Sequence, residues 1–338
     1  MQKNILITGA LGYLGQTVLR KLQRDLQTNK INSLVAMDIK PPTPDQKLDG
    51  VTYLQTDIRD KTLLVEQLKE HQISHVIHLA AILDSQSTPR EFQHQVDVQG
   101  TQNILEACLA AKTQRIIISS SGAAYGYHAD NPDWLTENDT PRGNEIFAYS
   151  DHKRLVEEML AKYRKNNPEL EQVIFRVCTI LGATTDNLIT NLFDKKRILG
   201  IRGHLSPYVF VWDEDVAACM HQAIYSEQTG VYNLAGDGAI TNRDLAKILG
   251  KTYLELSAGL LRTGLFIGNK LKLTQYGPDQ LLFIQYRPVL DNQKLKKVFG
   301  YEPQKTSLET FLFYLNAKNK AAHNLDKIEI LTPENNLK

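Results

Sequence analysis

The chain has 338 residues, 42% of them hydrophobic, and a formal net charge of +1, enough for a large α/β domain with a smaller second lobe. The near-neutral balance and the absence of a basic run exclude nucleic acid as the main partner, and the most apolar stretch, 253–273, carries too many charges for a membrane span. Cys108, Cys178 and Cys219 are isolated and lack metal-type spacing, and no secretory leader precedes the first apolar run, so reduced thiols in a cytoplasmic protein without a metal are expected.

The first elements carry the most information. The apolar run Asn4–Thr8 is followed by Gly9, Gly12 and Gly15 and then by Leu14, Val18, Leu19 and Leu22 at helical spacing. That order of strand, glycine turn and helix predicts a cradle in which helix N-terminal N–H groups hold a pyrophosphate. Gly9 would make the tight turn, Gly12 would let the backbone approach phosphate, and Gly15 would let helix and strand pack closely. A second strand, Ser33–Met37, ends in Asp38, placed to accept hydrogen bonds from an adenosine ribose and to repel a 2′-phosphate. NAD is thereby favoured over NADP, although Lys40 nearby leaves NADP open and a strand-end Asp also suits a plain turn.

Further strands are expected at Val51–Gln55, His75–Ala80, Arg115–Ser119 and Gln172–Val177, alternating with amphipathic segments. The alternation predicts a doubly wound parallel sheet with helices on both faces, the Rossmann arrangement, and ligands beyond the carboxyl ends of its strands. Tyr208–Trp212 and Val231–Ala235 read as later strands at the sheet's edge. The expected NAD-binding domain is therefore 1–182 plus about 207–236, the substrate lobe about 183–206 plus 237–316, and 317–338 a frayed polar tail. Within 253–273, Leu254, Ala258, Leu261 and Leu265 share a helical face that either packs on the core or covers an apolar part of the substrate.

Between these segments stands Tyr149-Ser150-Asp151-His152-Lys153, with Tyr and Lys one helical turn apart. A phenol is a poor base at neutral pH, but an adjacent ammonium and a positively charged nicotinamide favour the phenolate. Tyr149 is then able to take a proton from an alcohol as hydride leaves. Tyr301/Lys305 and Tyr314/Lys318 repeat the spacing, but Tyr149 alone follows the hydroxyl-rich strand end Ser119-Ser120-Ser121, whose Ser121 could bond the same substrate oxygen.

Taken together, these motifs resemble the extended short-chain dehydrogenase/reductases of the NAD-dependent epimerase/dehydratase group, across about residues 1–316. Further matches are Asp57-Ile58, His78-Leu79-Ala80-Ala81, Gly100-Thr101, Tyr125-Gly126, Arg176, Trp212 to Ala217 and Val231-Tyr232-Asn233. The resemblance implies that Ser121, Tyr149 and Lys153 are catalytic, that Asp57 and Ile58 flank the adenine, and that Leu79 and Ala80 line the adenosine side. With Gly9, Gly12, Tyr13, Leu14, Gly15, Asp38, Ala81, Ser119, Tyr149 and Lys153, these form the expected cofactor surface. It also implies a homodimer acting on a small-molecule substrate.

The chain departs from the family in ways that narrow the chemistry. Family dehydratases carry an Asp-Glu pair after the catalytic hydroxyl residue; Gly122 and Ala123 stand there and cannot transfer a proton. Thr179 and Tyr208 replace an Asn and a phosphate-binding Arg of UDP-sugar epimerases, and Asp97 replaces an Asn. Arg197, Arg202 or Arg287 would have to neutralise a diphosphate instead. The expected substrate side comprises Ser121, Thr179, Asn187, Tyr208 and Arg287. Three functions stay open: a nucleotide-sugar 4-epimerase, an NAD(P)-dependent dehydrogenase of a more hydrophobic alcohol such as a steroid-like or acyl compound, and an NAD-sensing binding protein.

Overall fold

The computed structural model describes residues 3–82, 88–271 and 277–335. Its strands are β1 (Asn4–Thr8), β2 (Ser33–Asp38), β3 (Thr52–Gln55), β4 (His75–His78), β5 (Arg115–Ser121), β6 (Glu171–Val177), β7 (Thr179–Leu181), β8 (Arg197–Ile201), β9 (Phe210–Trp212), β10 (Gly230–Leu234), β11 (Ala239–Ile240), β12 (Thr252–Leu256) and β13 (Ile330–Leu331). The helices are α1 (Tyr13–Gln27), α2 (Lys61–Glu70), α3 (Arg90–His94), α4 (Thr101–Ala111), α5 (Ala148–Asn166), α6 (Leu188–Phe193), α7 (Asp213–Tyr225), α8 (Asn242–Ile248), α9 (Ala258–Lys270), α10 (Leu282–Gln285) and α11 (Ser307–Ala317).

Seven strands form one wholly parallel sheet in the order β10-β6-β5-β4-β1-β2-β3. Side chains alternate across a strand, so each strand feeds two cores. Ile5 and Ile7 of β1 join Val18, Leu19 and Leu22 of α1 and Val216, Met220 and Ile224 of α7. Leu6 turns the other way, to Leu64 and Leu68 of α2, Ile104 of α4 and Val156 and Leu160 of α5. Both faces are thus covered, as a parallel sheet requires. Strand order reverses at β1, with β2 on one side and β4 on the other, and the crevice at such a switch point is where ligands bind.

Three sequence expectations are corrected. Only β10 extends the main sheet; β9 pairs with β7 in a separate two-stranded sheet. The Cys178 N–H bond to Leu234 O (3.1 Å) is the last link to β10, after which the chain turns away at Thr179. Residues 252–256 form β12 parallel to β8 rather than helix, so Leu254 leaves the expected helical face. Helix α9 begins only after the Ser257 cap; Ala258, Leu261 and Leu265 of the expected face are half-buried, and none of its residues is fully buried. The described part of the expected tail is docked at Ile330–Leu331 rather than frayed. β13 pairs with β11, Leu331 is buried, and Lys247 Nζ donates to Lys327 O at 3.1 Å.

Candidate functional site

The turn after β1 is built by its glycines. Gly9 has φ +65°, and a Cβ there would lie 2.7 Å from the Ala80 amide nitrogen, so both conformation and the β4 side demand glycine. At Gly15 a Cβ would run into Gly9 O and Ala10 O. Gly12 differs: a Cβ would meet only Gly9 O, at 3.3 Å, leaving space beyond the helix end. Gly12 caps α1 with no side-chain hydrogen bond, and the first-turn N–H groups of Tyr13, Leu14 and Gly15 project there. The Tyr13 side chain reaches across to the segment after β7. Its hydroxyl donates to Asp213 Oδ2 (2.5 Å) and accepts from Thr185 Oγ1 (2.9 Å), tying the turn to the segment after β7; burial and Asp213 hold this phenol protonated.

Asp38, at the end of β2, accepts from Leu11 N (3.0 Å) through one oxygen and from Lys40 N (3.3 Å) through the other. It therefore sits against the glycine turn. Asp57 is held by the Arg59 guanidinium, which lowers its pKa, and Ile58 packs against Gly100, where a Cβ would lie 2.6 Å from its Cδ1.

Beyond β4, Thr8 Oγ1 accepts from the amides of Leu79 (3.3 Å) and Ala80 (3.4 Å). Thr8 also meets His78 Nδ1 at 2.7 Å, while His78 Nε2 is 3.0 Å from Thr101 Oγ1, whose own proton goes to Asp97 O. Nε2 must then carry the imidazole proton and Nδ1 accept from Thr8. Burial, with Lys153 as a second cause, drives the His78 pKa down to about 3, so the imidazole is neutral. Asp97 accepts from Ile82 N (2.8 Å), next to Ala81, and its other oxygen lies 3.5 Å from His152 Nδ1.

The hydroxyl and amine groups meet at the end of β5. Ser121, the last residue of that strand, accepts from Ala123 N (3.1 Å) and so caps the tight turn 122–125. Ser150 donates to Ala123 O (2.7 Å), pinning the start of α5 to the same turn. Lys153, one turn later, donates from Nζ to Ser119 O (3.1 Å) and stands 5.7 Å from the centroid of the Tyr149 ring. A buried network braces this end: Arg176 is bidentate to Glu157 (3.0 and 2.9 Å), Ser120 donates to Glu157 (2.6 Å), and Arg176 donates to the Tyr125 hydroxyl (2.8 Å). Glu157 was not among the expected residues, although Tyr149, Lys153 and Glu157 recur every four positions. The rival pairs lie elsewhere: Tyr301 donates to Asp215 (2.7 Å), Lys305 covers Trp212, and Tyr314 is core.

The substrate side is only partly assembled. Arg287 lies over the Tyr208 ring, its Cζ 3.9 Å from the centroid. Tyr208 itself is buried among Phe193, Phe210 and Ile240, so it is corrected from a contact residue to the platform of Arg287. Asn187 is the cap of α6, its Oδ1 occupied by the amides of Ile189 and Thr190, and Thr179 opens β7. Arg197 and Arg202 are exposed. An aromatic wall went unread in the sequence: Tyr127, Phe147 and Phe283 pack with centroids 4.1–6.0 Å apart, two residues before Tyr149 on the Phe147 side. Burial pushes the Tyr127 phenol up to about 12, with the charge of Arg287 opposing. Its signal was the aromatic spacing around Gly126, which periodicity cannot connect to a helix so distant in the chain.

The family described as NAD dependent epimerase/dehydratase matches residues 5–235. A UDP-glucose 4-epimerase of Erwinia amylovora is 35% identical over 186 residues, 53% of this chain and 54% of that protein. Among solved structures, the UDP-glucose 4-epimerase of Thermotoga maritima with UDP-glucose superposes with a TM-score of 0.71 at 18% identity, covering 94% of this chain and 98% of that one. The Thermus thermophilus UDP-glucose 4-epimerase complex with NAD gives 0.70 at 20%, covering 94% and 99%. With both structures the likeness is one of fold.

Proposed function

The chain belongs to the NAD-dependent epimerase/dehydratase family, and on that premise we propose that it is a 4-epimerase-like enzyme that oxidises a secondary hydroxyl of a nucleotide-sugar and returns the hydride to the other face. When bound, NAD takes up that hydride and gives it back. The residues fit such a cofactor: the side-chain-free space at Gly12 suits a pyrophosphate, and the Asp38 carboxylate suits a ribose while disfavouring a 2′-phosphate.

The remaining steps fall to the chain's own groups. Tyr149 accepts the hydroxyl proton and later returns it, while Ser121, whose oxygen already accepts from Ala123 N, directs its hydroxyl proton to the same substrate oxygen. Lys153, tied to Ser119 O, brings its charge beside the Tyr149 ring and so favours the phenolate that Tyr149 must be before it takes the hydroxyl proton. Gly122 and Ala123 offer no acid or base to expel water, which argues against a dehydratase. Arg287, rigid on Tyr208, is the guanidinium for a diphosphate.

The observation that carries this reading is the Lys153 ammonium shared between Ser119 O and the Tyr149 ring at the sheet's carboxyl end. Incubating the purified protein with NAD and a panel of UDP- and GDP-sugars should yield epimers without net NADH. If none of them binds in calorimetry, the reading fails. The aromatic wall of Tyr127, Phe147 and Phe283 supports a second reading, an NAD-dependent dehydrogenase of an apolar alcohol, in which NADH accumulates in step with alcohol consumed.

A further inference from the structure

Gly126, with φ +82°, turns the chain out of the tight turn 122–125 into Tyr127, whose own N–H donates to Asn144 Oδ1 at 2.7 Å. Tyr127 is thus placed by its backbone. Its ring centroid lies 6.0 Å from that of Phe147, two residues ahead of Tyr149, and 4.3 Å from that of Phe283, four residues ahead of Arg287. The residue therefore stands where the start of α5 meets α10. Its phenol feels both of the groups those elements carry: burial raises its pKa to about 12, the charge of Arg287 opposes the rise and Tyr149 adds to it.

Neighbouring hydroxyls differ in what they bond. Two residues earlier, the Tyr125 hydroxyl is engaged by Thr136 O, Asn233 Oδ1 and Arg176 Nη1. The hydroxyl of the half-buried Tyr127 has no hydrogen-bond partner among the described residues. Arg287 is likewise uncommitted: its Nε is buried without a partner, and no carboxylate of the described residues pairs with its guanidinium. A half-buried phenol that the protein leaves unpaired gains its partner from what fills the cleft. Kept protonated at neutral pH, it is a donor and does not rival Tyr149 as a base.

We propose that Tyr127 is a specificity-determining substrate residue, its hydroxyl donating to a sugar hydroxyl other than the one oxidised while its ring packs on the sugar's C–H face. The inference rests on the nucleotide-sugar reading: with Tyr149 on the reacting hydroxyl and Arg287 on the diphosphate, the part of the substrate that joins them is the sugar ring. An aromatic body with a polar tip matches such a ring, which is apolar across its faces and polar at its rim.

The test is calorimetric titration of the NAD-loaded full chain with UDP alone, UDP-glucose and UDP-N-acetylglucosamine. Tyr127→Phe deletes one hydroxyl that the fold does not bond, so the unfolding midpoint and the affinity for UDP should stay as in wild type. Affinity for whichever UDP-sugar binds more tightly should fall roughly tenfold, the worth of one donor withdrawn from a buried partner. Arg287→Gln should instead weaken UDP and the UDP-sugars alike. A Tyr127→Phe variant that binds the sugars as wild type does, or that loses UDP as much as it loses the sugars, would overturn this role and leave the nucleotide-sugar reading standing. A wild-type protein that binds none of the three would sink that reading, and this role with it.

Discussion

Lys153 stands one helical turn beyond Tyr149 with its Nζ 5.7 Å from the phenol ring centroid and 3.1 Å from Ser119 O. The ammonium is thus fixed by strand backbone rather than left to solvent. Tyr149→Phe removes the proton-transferring group and keeps the ring, so turnover should fall by about 10²-fold or more with little change in NAD affinity. Steady-state kinetics beside NAD titration checks this, and turnover near wild type would retire the assignment.

Asp38 accepts from the Leu11 amide through one oxygen and, at 3.3 Å, from the Lys40 amide through the other. Asp38→Ala should weaken NAD by roughly tenfold, the worth of a charged hydrogen bond, and raise the relative affinity for NADP. Fluorescence titration with both cofactors measures the ratio. No change in it would mean that the ribose is held elsewhere.

Gly15 has no room for a methyl group because Gly9 O and Ala10 O occupy that space. Gly15→Ala should destabilise the fold by about 1–3 kcal/mol through overpacking and sharply weaken NAD. Gly12→Ala, whose added Cβ meets only Gly9 O, should leave the unfolding midpoint nearly unchanged while still weakening NAD. Thermal unfolding with and without NAD separates the two.

The Arg176–Glu157 pair is buried at both ends. Arg176→Met strands the carboxylate and should cost about 3–5 kcal/mol, whereas Arg176→Met with Glu157→Leu should recover much of it. Denaturant unfolding of the single and double variants decides. Equal loss in both would mean that the charge pair is not the brace of α5.

His78 is buried and neutral, its pKa near 3 in the fold against 6.5 for an ordinary imidazole. Between these values the unfolded chain binds a proton that the native one refuses, so stability is complete above pH 6.5 and falls as pH drops toward 3. His75, also lowered to about 3 chiefly by burial, adds to the same slope. Urea unfolding at pH 7 and pH 5 should give the lower midpoint at pH 5, and His78→Asn should shrink the slope by up to about one proton, ~1.4 kcal/mol per pH unit. A midpoint that ignores pH over this range would contradict a buried neutral imidazole.

What the amino-acid order determined by itself was local. Glycines at 9, 12 and 15 between an apolar run and a helical pattern dictate a strand, a turn and a helix; strand-like runs alternating with amphipathic segments dictate a parallel sheet covered on both faces; the four-residue step from Tyr149 to Lys153 dictates a shared helix face. Tertiary structure decided what depends on contacts distant in sequence. It gave the rival tyrosines other partners, Tyr301 on Asp215 and Tyr314 in the core, brought Arg287 onto Tyr208 and Phe283 onto Tyr127, and made Tyr208 a platform. It also turned residues 252–256 into a strand through pairing with β8 and left none of α9 fully buried. Periodicity tells which residues share a face, but which partner covers that face depends on packing between segments far apart in the chain.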